Sequence, residues 1–420
     1  MSETRNGEGT GDGVPAFDPA DPAFQADPFP AYRTLRDEFP LLRGPLGAFL
    51  VSRYEDCESL LRDRRMGKDF ANSQFFEQVM GQAGDEAPPF LGLGLDDFDA
   101  KLFMLTDPPE HTRLRGLVSQ AFTPATIKKL GPSVTAVVDE LLADLPDRFD
   151  LMERLAGPMP IRVLGDMLGI PAEDHARFTA WSTEIAGLLD LDVELPPEAA
   201  QARRKAVAEC TGYFLELAGT RGSGDDLISQ LVRARDEDSV LTTQEIAATC
   251  VLLVVAAQET FSNLVGNAAV VFSRQPDAFT HLAAHPEATD AVLDEIMRLE
   301  PPAHQVGRIA LEPVELHGTT IEPGNAVILL VASANRDERA FPEPDTFDTG
   351  REGPAHLSFG RGVHYCLGAP LANLMAKEVL RGLTERFSRL SMVEDPPVYK
   401  PGMGLRGPAA LPLVAERRRA

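Results

Sequence analysis

Apolar residues along this chain recur mainly at the three-to-four-residue spacing of helices, and few stretches alternate as strands do. The longest helical pattern follows Ser239–Thr243 and reaches about Ser273. It reads I-A-A-T-C-V-L-L-V-V-A-A-Q-E-T-F-S-N-L-V-G-N-A-A-V-V-F and is apolar on nearly every face, which predicts a helix inside a large core. Thr123-Pro124 predicts a helix start, with Thr as N-cap and Pro at the first helical position. A short amphipathic stretch opens at Asp225. Strand patterns are short: G-A-F-L-V-S near Leu50, then V-E-L-H-G-T-T-I and A-V-I-L-L-V between Val314 and Val331. Gly-Thr-Thr between two of these runs predicts a hairpin. The expected class is mainly α (α+β), a large helical domain with small β-sheets. Residues 1–22, rich in Gly, Asp, Glu and Pro, predict a disordered tail, and residues 23–420 a single domain. Segments 76–103 and 190–197 read as long loops, a common form for functional lids.

Composition narrows the partners. The 420 residues carry a formal charge of −24, which argues against nucleic-acid and anionic-membrane surfaces as partners. The four cysteines, Cys57, Cys210, Cys250 and Cys366, show no C-x-x-C spacing, so a disulfide framework or zinc site is not expected and a reducing cytoplasm fits. The start of the chain lacks an apolar signal region. The longest strongly apolar run, 247–257, falls short of the roughly 18–20 residues that span a bilayer, so no membrane is expected either.

Candidate chemistry concentrates in four places. In F-G-R-G-V-H-Y-C-L-G-A-P-L-A, residues 359–372, Gly360, Gly362 and Gly368 permit positive φ and close approach of the backbone to something bulky. A helical pattern follows Cys366, so the thiol sits at a helix N-terminus, where the macrodipole favours a thiolate. Glu259 and Thr260 interrupt the apolar helix at its centre. A buried carboxylate there must be paired, protonated or wet, and the Thr hydroxyl can bond the Ala256 carbonyl one turn back. His111 and Arg115 are spaced i, i+4 and share a helix face. Arg308 lies in the strand-like V-G-R-I-A. Glu295 and Arg298 share a face at i, i+3, a weak pattern that also occurs at Glu110–Arg113, Glu378–Arg381 and Glu416–Arg419.

Taken together and in this order, these motifs resemble the cytochrome P-450 family over nearly all of residues 23–415, with the Gly-x-Gly-x-His-x-Cys-x-Gly segment the most specific. The resemblance implies the cytochrome P-450 fold enclosing a haem, heme b (iron protoporphyrin IX), with Cys366 as the iron ligand. A thiolate there assists O–O cleavage. It implies that Phe359 packs beside the thiolate and that Ala256, Gly360 and Gly368 lie against the cofactor. His111, Arg115, Arg308 and His364 would contact the propionates. Glu259 and Thr260 match the acid–alcohol pair that positions dioxygen and delivers protons, and Glu295/Arg298 the pair that buttresses the cysteine loop. Three positions depart from the common pattern. Ala257 stands where Gly is usual, Phe261 follows the Thr, and Pro344-Asp345-Thr346-Phe347 lacks the Arg that often completes the buttress.

The implied function is hydroxylation or epoxidation of an apolar small molecule with dioxygen, in secondary metabolism. Electrons would come from ferredoxin and ferredoxin reductase. Arg65, Lys68, Arg113 and Arg361 would form a local docking patch for that donor. Oxidative coupling or cyclisation, peroxygenase chemistry and a non-catalytic haem sensor or carrier are the alternatives. The acid–alcohol pair weighs against the last two. Expected pocket residues are Phe90, Leu91, Leu93, Leu188, Ala257, Phe261 and Met403, with His304 and Gln305 as polar contacts.

Overall fold

A computed structural model describes residues 21–44, 47–74, 102–185, 196–236 and 239–418. Phe90, Leu91, Leu93 and Leu188 lie outside the described residues.

The long apolar pattern is a helix of 32 residues, Thr243–Arg274, hereafter the central helix. A capping box starts it. The Thr242 side chain accepts from the Glu245 N–H, and the Glu245 carboxylate accepts from the Thr242 N–H at 2.7 Å. Helices Pro197–Thr220, Pro158–Leu168 and Ala369–Arg386 and strand Phe387–Met392 pack around it. By length and composition the central helix could cross a membrane, but 83% of its apolar window is buried inside this protein. It is the core helix of the fold.

Its burial pattern is informative. From Glu245 to Phe272 every residue is buried except Leu253, Ala256, Ala257 and Thr260. Those four fall at i, i+3, i+4 and i+7, which is one stripe on one face of the helix. The helix therefore presents a single open line to accessible space at its centre.

A five-stranded sheet with an apolar cluster of its own runs in the order Leu41–Arg43, Phe49–Val51, Ala326–Leu329, Val306–Ala310, Met66–Gly67. The pair formed by 49–51 and 326–329 is parallel, and the other pairs are antiparallel. A three-stranded sheet joins Phe387–Met392, Pro412–Arg417 and Arg148–Asp150. The hairpin between Val314–Leu316 and Thr319–Ile321 forms where expected, but its turn is one step earlier. His317 and Gly318 both hold positive φ, 51° and 75°, the pair of left-handed residues that a tight two-residue hairpin requires. Thr319 already belongs to the strand.

Candidate active site

The cysteine loop lies between the five-stranded sheet and the helix Ala369–Arg386. Gly360 and Gly362 adopt φ of 68° and 70°, as the glycine spacing suggested. Gly362 also has no room for a side chain, because a Cβ would lie 2.6 Å from the Leu61 carbonyl oxygen. Gly368 differs: it holds right-handed φ, −80°, as the cap of the following helix. The Cys366 N–H donates to the Phe359 carbonyl at 2.9 Å, closing the loop on itself. Cys366 is the exposed member of the four cysteines, while the other three are buried. It opens on accessible space on one side and is hemmed by protein on the others. That crowding raises its thiol pKa, with the Gly368 and Ala369 N–H groups and Arg115 pulling the other way. The helix terminus thus supplies the donors that favour a thiolate, but in the bare chain they do not outweigh desolvation.

Beside the loop, basic groups converge. The rings of His111 and His364 stand 4.2 Å apart. Neither ring nitrogen of His111 has a partner, nor has Nδ1 of His364, although all three atoms are buried. Burial, Lys68, His111, Arg308 and Arg115 push the His364 imidazole down to about 2. Burial and Arg115 likewise lower His111. Arg308 is 3% exposed, and burial depresses it to about 10. Met66↔Ala310 and Gly67↔Ile309 are cross-strand pairs, so the next step of this register sets Lys68 beside Arg308. Like charges side by side in a sheet are unfavourable. Burial and that neighbour bring the Lys68 ammonium down to about 7. Asp107 is the acid these groups share, and it is occupied by the N–H groups of Lys68 and Asp69 at 2.7 and 3.2 Å. Unpartnered buried imidazoles and crowded cations fit a ligand carrying two carboxylates, as haem does.

Thr260 lies on the open stripe, and its Oγ1 donates to the Ala256 carbonyl, the back-bond expected from the sequence. Glu259 is 7% exposed and faces away from the stripe, paired with Lys400 Nζ at 3.3 Å. The stripe also contains Leu253, which sequence reading missed although it lies one turn before Ala257.

The buttress is complete. Arg298 and Glu295 form a two-point buried pair, 2.7 and 2.8 Å, exposed by 3% and 5%. Arg351 supplies the missing third member: its Nε donates to Glu295 Oε1 at 3.2 Å and its Nη2 to the Thr346 carbonyl at 2.8 Å. Arg298 Nη1 donates to the carbonyls of Asn335 and Pro344. Asn335, also missed, passes the support on, for its side chain accepts from Leu357 N–H at 2.7 Å and donates to Ser358 Oγ at 2.9 Å. These are the residues that lead into the cysteine loop. The path from Glu295 to Cys366 therefore runs through hydrogen bonds of Arg298, Asn335 and Ser358 to the adjoining Phe359, whose carbonyl accepts from the Cys366 N–H.

Several expected contacts are turned elsewhere. Phe261 is 3% exposed and packs in the helical core, because one residue past Thr260 the helix has rotated it off the stripe. His304 is 2% exposed, with Nδ1 3.1 Å from the Tyr32 hydroxyl and its ring between Phe29 and Tyr32. Its neighbours Ala303 and Gln305 are the accessible ones, as alternation along an extended segment dictates. Met403 is near these two, since Ala303 bridges Leu405 and the His304 N–H donates to Gly404. Three cations of the expected docking patch also make pairings within the chain. Arg113 is held by Glu110 and Glu245, Arg65 by Asp63, and Arg361 by the carbonyls of Ala355, His356 and Gly360. Lys68 belongs to the cation cluster. The loop instead exposes Val363 (49%) and Tyr365 (40%). A separate cavity of about 460 Å³, lined among others by Arg274, Glu300, Arg336 and Arg406, contains none of the expected residues.

A long core helix open along one stripe, a cysteine loop at a helix N-terminus and a nest of cations beside it define a haem-thiolate oxygenase. The sequence model described as "Cytochrome P450" matches residues 203–409. The chain is 38% identical to the cytochrome P450 monooxygenase PikC of Streptomyces venezuelae, covering 94% of this chain and 93% of PikC. It is 34% identical to 6-deoxyerythronolide B hydroxylase of Saccharopolyspora erythraea, covering 93% and 96%. The structure of P450 RauA, complexed with a biosynthetic intermediate of aurachin RE, superposes with a TM-score of 0.88 at 45% identity, covering 96% of this chain and 99% of RauA. This chain belongs to the cytochrome P450 family, and like these relatives it is a monooxygenase that oxidises small molecules of secondary metabolism with dioxygen.

Proposed function

We propose that the chain binds heme b through Cys366 and hydroxylates an apolar intermediate of secondary metabolism, taking electrons from a ferredoxin and its reductase. The observation that carries this reading is the open stripe Leu253, Ala256, Ala257, Thr260 in a helix otherwise buried from Glu245 to Phe272. When bound, the haem supplies the reductive activation of dioxygen that ends in one oxygen atom on the substrate and one in water. The chain's own residues do the rest. Cys366 provides the thiolate. Arg115, Arg308, His111, His364 and Lys68 hold the two carboxylates and so fix the cofactor's orientation. Ala256 and Ala257, with side chains of one carbon, leave the stripe low enough for a flat ring and a substrate to lie beside it. Thr260 places a hydroxyl at the centre of that line, and Glu259, one residue away, is the acid that would pass protons toward it. Leu253, Ala257, Ala303, Gln305 and Met403 are the described residues that would meet the substrate. They offer an apolar surface with one amide.

The electron donor would meet Val363 and Tyr365, exposed on the cysteine loop, with Arg62 and Arg64 exposed on the adjoining turn. This face adds apolar side chains to the basic ones expected from sequence. Fatty-acid and polyketide systems bracket the substrate class: solved relatives include P450BioI in complex with a hexadecenoic acid ligated acyl carrier protein and PksS of the bacillaene polyketide synthase. The test is spectroscopic. The reduced, carbon monoxide-bound protein should show the red-shifted Soret band of thiolate ligation. Candidate intermediates should produce a low-to-high-spin difference spectrum, followed by hydroxylated product with a ferredoxin system. A well-folded sample that takes up haem without the thiolate band would remove the reading.

A further inference from the structure

Glu259 is an acid with a partner that sequence reading did not identify. The partner comes from a hairpin 141 residues further along the chain. Lys400 Nζ lies 3.3 Å from Glu259 Oε1 and 3.1 Å from Asn263 Oδ1. Glu259 and Asn263 are one turn apart on the central helix, so the ammonium bridges two side chains of a single face. The hairpin is seated on that face. Tyr399 bridges Pro408, and the Lys400 N–H donates to the Gly407 carbonyl at 3.0 Å. Gly407 has no side chain because a Cβ there would lie 2.3 Å from Asn263 Oδ1. Any larger residue would lift the hairpin and carry Lys400 away from Glu259.

Exposure gives this bridge a direction. The Glu259 side chain is 8% exposed and that of Lys400 is 29%. Thr260, next in sequence and about 100° further round the helix, opens on the stripe. Lys400 is thus the more exposed member of the pair, and Glu259 directly precedes the stripe residue Thr260 along the helix. A carboxylate this buried is stable as an anion only with a partner. Lys400 is the cation in contact with it.

We propose that Lys400 is a positioning residue for proton delivery, a role that rests on the haem-thiolate reading above. It holds the Glu259 carboxylate in place on the solvent side of the central helix. There the carboxylate takes a proton from bulk water, becomes the neutral acid, and returns to the anion by releasing that proton toward the Thr260 side. Without Lys400, Glu259 is a buried carboxyl with neither a fixed position nor a wet approach.

The test needs no knowledge of the natural substrate. Wild type, Lys400→Met, Lys400→Arg, Glu259→Gln and the Lys400→Met/Glu259→Gln double variant are loaded with haem and checked for the thiolate-type carbon monoxide band. Each is then driven by NADPH through a plant ferredoxin and its reductase. Oxygen uptake, the share of reducing equivalents released as hydrogen peroxide, and the solvent deuterium isotope effect are recorded. Lys400→Met should lower turnover about tenfold, less than the roughly 10²–10⁴-fold of a group that transfers the proton itself, with a larger peroxide share and a larger isotope effect. Lys400→Arg should restore all three. In the Glu259→Gln background Lys400→Met should add nothing, since both act through one carboxylate. Wild-type peroxide share and isotope effect in Lys400→Met would overturn the proposal. So would equal losses in the Met and Arg variants, or a full further loss in the double variant. If Lys400→Met fails to hold haem, Lys400→Gln serves in its place. Absence of the thiolate band in the wild type would be a different failure, that of the haem reading, and would take this inference with it.

Discussion

Replacing Arg351 by Ala tests whether it completes the network behind the cysteine loop. The substitution removes the bond to Glu295 Oε1 at 3.2 Å, the bond to the Thr346 carbonyl at 2.8 Å, a longer one to the Glu343 carbonyl at 3.3 Å, and a contact to the Pro342 carbonyl. Not all of this is lost as stability. Glu295 keeps Arg298 and the Asp348 N–H, so its charge stays paired, and the carbonyls near the surface regain water. A hydrogen bond to a buried charged group contributes about 1.5–3 kcal/mol, so one such bond and one strong carbonyl contact amount to about 3 kcal/mol. Unfolding entropy is about 2.1 cal/mol/K per residue. Over 420 residues that gives about 0.9 kcal/mol/K, and the expected drop in Tm is about 3 °C. The same loosening reaches Asn335 and Ser358, so part of the reduced carbon monoxide complex should shift from the thiolate-type to the thiol-type band on mild heating. Lys at 351 should recover only part of the loss, since it keeps the charge without the planar fork. An Arg351→Ala protein with wild-type Tm and an unshifted band would show that Arg298 and Glu295 are sufficient alone, and the assignment of Arg351 would fall.

Other expectations follow from the same geometry. Cys366→Ala should retain the fold and lose the thiolate-type band completely; persistence of that band would exclude Cys366 as the ligand. Lys68→Met should speed haem transfer to an apomyoglobin scavenger by roughly tenfold, the equivalent of one charged hydrogen bond. With haem dimethyl ester the difference should vanish, because the carboxylates are gone. Stability measured by urea should fall as pH drops below about 6.5, where the unfolded His304 takes up a proton that the folded one refuses. Burial, with Arg406 and Arg336 nearby, holds the folded imidazole well below its ordinary value. The stabilisation is present above the unfolded pKa and is lost as pH falls through it, by up to about 1.4 kcal/mol per pH unit. His304→Asn should lessen the slope of that limb, leaving the share of His111 and His364, whose imidazoles are also held down, and an unchanged slope would refute the assignment.

What the sequence alone determined follows from short-range rules. The apolar run with no polar face had to be a core helix, and Thr242 with Glu245 three residues on had to cap it. Glycines 360 and 362 had to allow left-handed backbone before Cys366, and Glu295 and Arg298 had to meet at i, i+3. These outcomes depend on neighbours within one or two turns, so spacing is enough to read them. Tertiary structure decided everything that depends on which face looks where and on partners far along the chain. Phe261 and His304 left the pocket because one residue rotates a helical side chain by about 100° and flips an extended one to the other side. Leu253 entered the stripe for the same reason. Lys68 became part of the cation nest through a strand pairing with residues 240 positions away. Arg351 reached Glu295 across 56 residues and Lys400 reached Glu259 across 141. No local pattern encodes such encounters, because they arise from how loops and sheets pack around the central helix. The cysteine was legible from its own loop; that Lys68 joins the cations beside it and that Lys400 meets Glu259 became visible only when the chain was folded.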